Sequence, residues 1–208
     1  MRDSIKGTEE TSMKKTIIVA LFVTSLVIAN VVAGKVLDLF GLIVPGAVLL
    51  YGITFLMTDL MNELYGREEA QRLVKTGFIA AVFASLMIYL TSLLPAAVFA
   101  QQAARAYDTL LGMNFRLVFA SMVAYYISQT WDVWVFDKVR RRTKGKAKWL
   151  RNNLSTMSSQ LIDTIIFITI AFIGDVPSLG IMIISQYVVK LAIAAVDTPV
   201  FYGITKRI

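Results

Sequence analysis

Apolar residues in this chain gather into six long runs separated by polar or glycine- and proline-bearing breaks, near 16–36, 43–65, 73–94, 116–137, 150–173 and 179–204. Each run is close to the roughly 20 residues that carry a helix across a hydrocarbon core. Residues 1–13 are polar and are expected to form a disordered tail before a six-helix domain over 14–208. The first run exceeds a signal-peptide core, and Ala29-Asn30-Val31 does not fit a small-x-small cleavage site, so it reads as a span. The longest break, about 95–114, holds Phe99, Ala103, Tyr107, Leu110 and Leu111 at helical spacing. That spacing predicts a short surface helix, with an interfacial role favoured over that of a lid.

Composition fits the pattern. The chain of 208 residues is 57% hydrophobic, with a mean hydropathy of +0.66, well above a soluble domain. Cysteine and histidine are absent, which excludes disulfides, Cys/His metal sites and Cys/His nucleophiles. No P-loop, H-E-x-x-H or G-x-S-x-G motif occurs, so neither an intramembrane enzyme nor intrinsic ATP coupling is expected, and no cofactor is called for.

A net charge of +7 would suggest nucleic acid in a soluble protein, but its placement says otherwise. Of 21 Lys and Arg residues, 17 fall in the N-terminal segment, the connection after the second span, the stretch "KVRRRTKGKAKWLR" and the C-terminus. These segments alternate on one side of a six-span chain. The positive-inside rule then puts both termini in the cytoplasm of a prokaryotic cell and makes the protein multi-pass in the cytoplasmic membrane. Six spans can divide three plus three with the second half inverted, but no sequence repeat supports that arrangement. The expected fold is an all-α membrane protein, a six-transmembrane-helix bundle.

Candidate chemistry lies in the polar residues inside the runs. Burying them costs at least about 2.5 kcal/mol for each charge near the bilayer centre, so they need a cavity or a partner. The first span has Asn30. The second has Asp59, Asn62 and Glu63 at i, i+3, i+4, hence on one face. "SQTWD" at 128–132 and "SQLID" at 159–163 each set a Gln three residues before an Asp: Gln129 with Asp132, Gln160 with Asp163. The last span has Gln186 and Lys190 one turn apart, with Asp197 beyond. Each stripe would face a common interior. Five acids against one lysine suit a cationic or donor-rich ligand, or proton coupling. Trp131 flanks Asp132 and offers a ring for stacking on a flat heterocycle, whereas Trp134, Tyr51 and Tyr65 read as interfacial anchors. Helix rise places Gln129 and Gln160 near the midplane, staggers Asp132 and Asp163 by roughly 10 Å, and leaves Lys190 within reach of either acid.

"VPGAVLLYGITFLMTDLMNELYG" at 44–66, with its T-D-x-x-N-E-x-Y-G ending, resembles the signature of the vitamin uptake, or queuosine precursor, transporter family. "ANVVAGK" at 29–35, "SSQLIDTIIF" at 158–167 and "VVKLAIAAVDTPVFYG" at 188–203 resemble other elements of it, and the resemblance covers about 14–205. It implies a six-helix importer of a queuosine or archaeosine precursor, 7-cyano- or 7-aminomethyl-7-deazaguanine. On this resemblance Asp163 or Asp132 takes the donor edge of the base, Gln129 and Gln160 bracket it, and Lys190 counters one acid. The alternative is a substrate-binding subunit of an energy-coupling-factor vitamin transporter, which has a similar length and helix number. The expected partners are the deazapurine base, the bilayer and a coupled proton, with no nucleic acid. The oligomeric state is not legible.

Overall fold

The computed structural model describes residues 2–143 and 148–205. Six long helices carry the chain: α1 (Arg2–Val32), α2 (Val48–Tyr65), α3 (Arg67–Ser92), α5 (Asn114–Arg142), α6 (Lys148–Phe172) and α7 (Leu179–Thr205). A single 3-10 turn and the short α4 (Gln101–Leu111) fill the long connection, where the spacing predicts a helix. The expected six-helix count is met. Among the described residues, Ser12–Val32, Arg67–Ser92, Val98–Asp132 and Leu154–Phe172 are each long and apolar enough to cross a membrane, and Leu179–Ile193 is a shorter apolar stretch. Helix α1 begins at Arg2 and so takes in most of the polar residues 1–13.

The largest departure from the expected pattern lies between the first two spans. Helix α1 stops at Val32 rather than near 36, and α2 starts at Val48 rather than near 43. Between them β1 (Val36–Leu39) and β2 (Leu42–Pro45) pair antiparallel, with Val36 opposite Pro45 and Leu39 opposite Leu42. The two-residue turn has Phe40 at φ 55° and Gly41 at φ 88°, the positive pair that lets a tight hairpin follow the natural strand twist. The Gly41 N–H donates to the Asp38 carboxylate at 2.7 Å and holds that turn. The tip is exposed at Phe40, while the far end turns inward, with Val44, Pro45, Ala47 and Val48 buried. Gly46 allows the close return. Its N–H donates to the Lys35 carbonyl at 2.7 Å, and a Cβ there would lie 2.6 Å from the Val32 carbonyl oxygen. Helix α2 thus starts inside the bundle, under its own hairpin, with β2 against α7.

Packing divides the helices into two groups. α1, α2 and α3 pack on one another around Ile18, Phe22, Met57, Met61 and Leu73. Helix α5 lies along α6, which packs on α7, and the groups meet through α2 with α7 and α3 with α5. A second core of Ala29, Ala33, Ala47, Leu117, Ala120, Ile168, Ala171, Phe172 and Met182 fills that junction. Its many alanines let helix backbones approach closely, which is how helices associate when lipid removes the hydrophobic drive between them. Outward, Ile79, Phe83, Phe119, Ile165 and Ile184 are exposed. An apolar exterior of this extent is a lipid-facing surface.

Two polar devices fix the register of α5. The buried Ser85 of α3 hydrogen-bonds Asn114 at the start of α5. Arg116 donates to the Ile170 and Ile173 carbonyls at 2.6 and 2.7 Å and to the Asp175 carboxylate at 2.7 Å. It thereby satisfies carbonyls that the end of α6 leaves open. Helix α4 is tied to α3 by the Tyr107 hydroxyl, which donates to the Ile88 carbonyl at 3.2 Å, and it buries none of its residues.

Candidate functional site

Lys190 is the buried charge of the described chain, with 5% of its surface accessible. Its ammonium donates to the Asp163 carboxylate at 2.8 Å and lies 5.1 Å from the centre of the Tyr51 ring. The carboxylate supplies the counter-charge and the ring face supplies a quadrupole that favours a cation. Helix α7 provides Lys190, α6 provides Asp163 and the first turn of α2 provides Tyr51. The last placement depends on the hairpin, which delivers the start of α2 to this depth.

One turn before Lys190, Gln186 is fully buried. Its amide reaches the Tyr51 hydroxyl at 3.3 Å, and its Oε1 has no hydrogen-bond partner. A phenol both donates and accepts, so either orientation of the amide satisfies one end and leaves the other open. The Oε1 of Gln160 is likewise buried and without a partner. Buried polar atoms are nearly always paired, so these two amide oxygens are acceptors left open to a hydrogen-bond donor.

The two S-x-x-x-D segments explain each other. Ser159 of α6 lies against Asp132 of α5, its hydroxyl 3.2 Å from the carboxylate. Ser128 of α5 lies against Asp163 of α6 at 3.5 Å, the outer limit of such a bond. Each serine shares its single proton with a carbonyl of its own helix, that of Thr156 for Ser159 and of Tyr125 for Ser128. Antiparallel helices with equal spacing produce this reciprocal pairing. It sets Asp163 level with Ser128 and Asp132 level with Ser159. The acids are therefore offset by four residues, about 6 Å along the helices rather than the expected 10 Å. Asp163 takes Lys190, while Asp132 has no cation partner among the described residues.

Other expected members lie elsewhere. Gln129 is exposed on α5, in contrast to the buried Oε1 of Gln160. Trp131 is also peripheral, its indole N–H donating to Ser158 Oγ at 3.1 Å and its ring 5.1 Å from that of Trp134. Lys138 sits 4.0 Å over the Trp134 ring, which suits the interfacial role expected of that tryptophan. Asn30 is buried, but its amide donates to the Leu26 carbonyl of its own helix at 2.9 Å. Asp59, Asn62 and Glu63 are exposed. Asp59 is eight residues beyond Tyr51 and Glu63 twelve, about 12 and 18 Å further along α2. They line the approach to the α2–α3 corner, where the Gly66 N–H donates to the Asn62 carbonyl at 3.0 Å. The side chain of Asp197 lies outside the described residues, as do Lys144, Lys146, Lys206 and Arg207.

Tyr51, read from the sequence as an interfacial anchor, is the member that reading missed. A signal was present: Tyr51, Thr54 and Thr58 recur at i, i+3, i+7 in the apolar stretch of α2 that precedes Asp59, and Thr54 is buried.

Residues 45–204 match the family described as "Putative vitamin uptake transporter". A probable queuosine precursor transporter of Bacillus subtilis is 36% identical over 191 residues, 88% of this chain and 80% of the relative. A probable queuosine precursor transporter of Haemophilus influenzae is 29% identical over 60% of this chain. The queuosine precursor transporter of Escherichia coli is 30% identical over 57% of it, and these last two matches each span 50% of the relative. No solved structure matches the chain.

Proposed function

The chain belongs to the vitamin uptake transporter family, and from that premise we propose that it imports a 7-deazaguanine precursor of queuosine, 7-cyano- or 7-aminomethyl-7-deazaguanine, through the cluster around Lys190. The observation that carries the assignment is the buried Lys190, paired with a partly accessible Asp163, together with two partnerless amide oxygens, on Gln160 and Gln186. A guanine-like base has a donor edge, N1–H with the exocyclic amine, and an acceptor edge at its carbonyl. Asp132, whose charge meets no cation among the described residues, accepts from the donor edge as a carboxylate can. The amide oxygens accept further N–H groups. Lys190 donates to the carbonyl edge. The 6 Å offset between the two acids is comparable to the width of such a base, which lets opposite edges be held from the two levels.

In this reading both termini are cytoplasmic, because the basic segments alternate to that side. The division of the long helices into α1–α3 and α5–α7 is the feature that supports two inverted three-helix halves in this reading, although α1 packs on α3 without a matching contact of α5 with α7 among the described residues. The acids outside the ion pair supply candidates for a coupled proton, Asp132 first among them.

Uptake of labelled 7-cyano-7-deazaguanine into proteoliposomes tests the site. Asp132→Asn and Asp163→Asn are each expected to lower uptake at least about tenfold, since a charge-assisted hydrogen bond is lost in a water-poor site. Uptake at the wild-type rate by both variants would remove the assignment.

A further inference from the structure

Resting on that transport reading, we propose that Lys190 makes the site select a neutral deazapurine over one that carries an ammonium group. The site then discriminates between the two cargo forms by charge rather than by shape.

The composition of the cluster points this way. Around Lys190 stand one carboxylate, two amides, one phenol and one serine hydroxyl, so the formal charge is zero at the end of the base that faces Lys190, while the Asp132 carboxylate lies one level away at the opposite edge. The sequence alone suggests a surplus of acid and hence a welcome for cations. Folding disperses that surplus: Asp59 and Glu63 are exposed far along α2, and Asp132 is one level away against Ser159. At the centre, the single acid already has its cation.

Lys190 cannot easily leave. Its side chain is enclosed, its ammonium is held by Asp163 at 2.8 Å, and its other flank faces the Tyr51 ring at 5.1 Å. An ammonium has three N–H donors and Asp163 takes one of them. The free donors require acceptors from whatever enters. In a 7-deazaguanine the ring carbonyl and the 7-substituent project from the same edge. A 7-cyano group adds a nitrile nitrogen, a second acceptor beside the carbonyl, so that edge can accept two N–H groups from Lys190. A 7-aminomethyl group is a primary alkylamine, protonated at neutral pH. It would bring a second cation against Lys190 in a place with little water to screen the repulsion.

The test is equilibrium binding to the purified full-length protein in nanodiscs at neutral pH, with 7-cyano-, 7-carboxamido- and 7-aminomethyl-7-deazaguanine. Wild-type protein is expected to bind the two neutral bases at least about tenfold more tightly than the amine. In Lys190→Met the order should reverse, because the ammonium of the cargo can take the place left at Asp163. Lys190→Met with Asp163→Asn should show no gain for the amine. Equal binding of cyano and aminomethyl forms by the wild type, or an unchanged ratio in a folded Lys190→Met, would overturn the proposal. Should Lys190→Met fail to fold, the rank of the carboxamide on wild-type protein decides: with the nitrile it supports charge selection, with the amine it defeats it. Wild-type protein that is monodisperse yet binds none of the three would strike the transport reading instead.

Discussion

Two lysine–carboxylate pairs in this molecule have the same length and enclose their lysines to very different degrees. Lys190 meets Asp163 at 2.8 Å, and Lys15 meets Glu69 at 2.8 Å. The Lys190 side chain is 5% accessible and that of Lys15 is 40%, while the carboxylates are alike, 26% for Asp163 and 22% for Glu69, so the pairs differ at the lysine. Glu69 has a second partner in Arg72 at 2.6 Å and lies in the first turn of α3, where the helix dipole also favours an anion. The outer pair joins α1 to α3 beside the tight corner at Gly66 and is open to water and salt. The inner pair is ringed by Tyr51, Gln186 and Ser128. Distance alone therefore says little about what a pair does. Enclosure makes removal of one partner expensive and makes the remaining partner reactive toward a ligand.

The contrast can be broken most sharply at the inner pair. Lys190→Ala is expected to lower stability by about 3 kcal/mol, the low end for a buried pair, because it leaves the partly accessible Asp163 carboxylate without its cation. Thermal unfolding in detergent measures this. Replacing both partners, as Lys190→Met with Asp163→Asn, should recover much of that loss without restoring uptake of the base. A double variant as unstable as Lys190→Ala would mean that the pair holds the bundle together rather than serving a ligand. Next in size is Gly46→Val, expected to cost about 1–3 kcal/mol by overpacking, since the new Cβ would press on the Val32 carbonyl and move the start of α2. The same variant should weaken cargo binding, because Tyr51 rides on that turn. Ser159→Ala should destabilise by about 1 kcal/mol, and Ser128→Ala by less, given the longer contact. Lys15→Met should have the smallest effect on unfolding, one that fades as salt is raised, and should leave cargo affinity unchanged. A large, salt-insensitive effect there would erase the distinction between the two pairs.

Much of the architecture was legible because its cause is local. A run of some twenty apolar residues has few fates other than a membrane helix, and α4 announced itself by helical spacing in a polar connection. The β-hairpin did not. Its strands, Val36–Leu39 and Leu42–Pro45, are short apolar runs whose periodicity cannot separate strand from helix, and they sat at the ends of two longer runs that absorbed them. Phe40 is an unusual residue for a positive φ, so the turn lacked its common Asn-Gly mark.

The same division runs through the site. Sequence by itself determined which polar residues are confined within apolar segments, and so that Asp132, Asp163, Gln160, Gln186 and Lys190 had to find partners in a medium that offers none. It also determined the equal spacing of "SQTWD" and "SQLID". Tertiary structure decided the pairing, because that depends on how helices slide and turn against one another. Arg116 and Asn114 hold α5 in register, and antiparallel packing then sets each serine against the other segment's aspartate. Helix α7 presents Lys190 to Asp163 and not to Asp132, Gln129 is left exposed, and a hairpin brings Tyr51 beneath the lysine. A helix fixes its own faces by its period, but only contact between helices selects which face meets which, and at what depth.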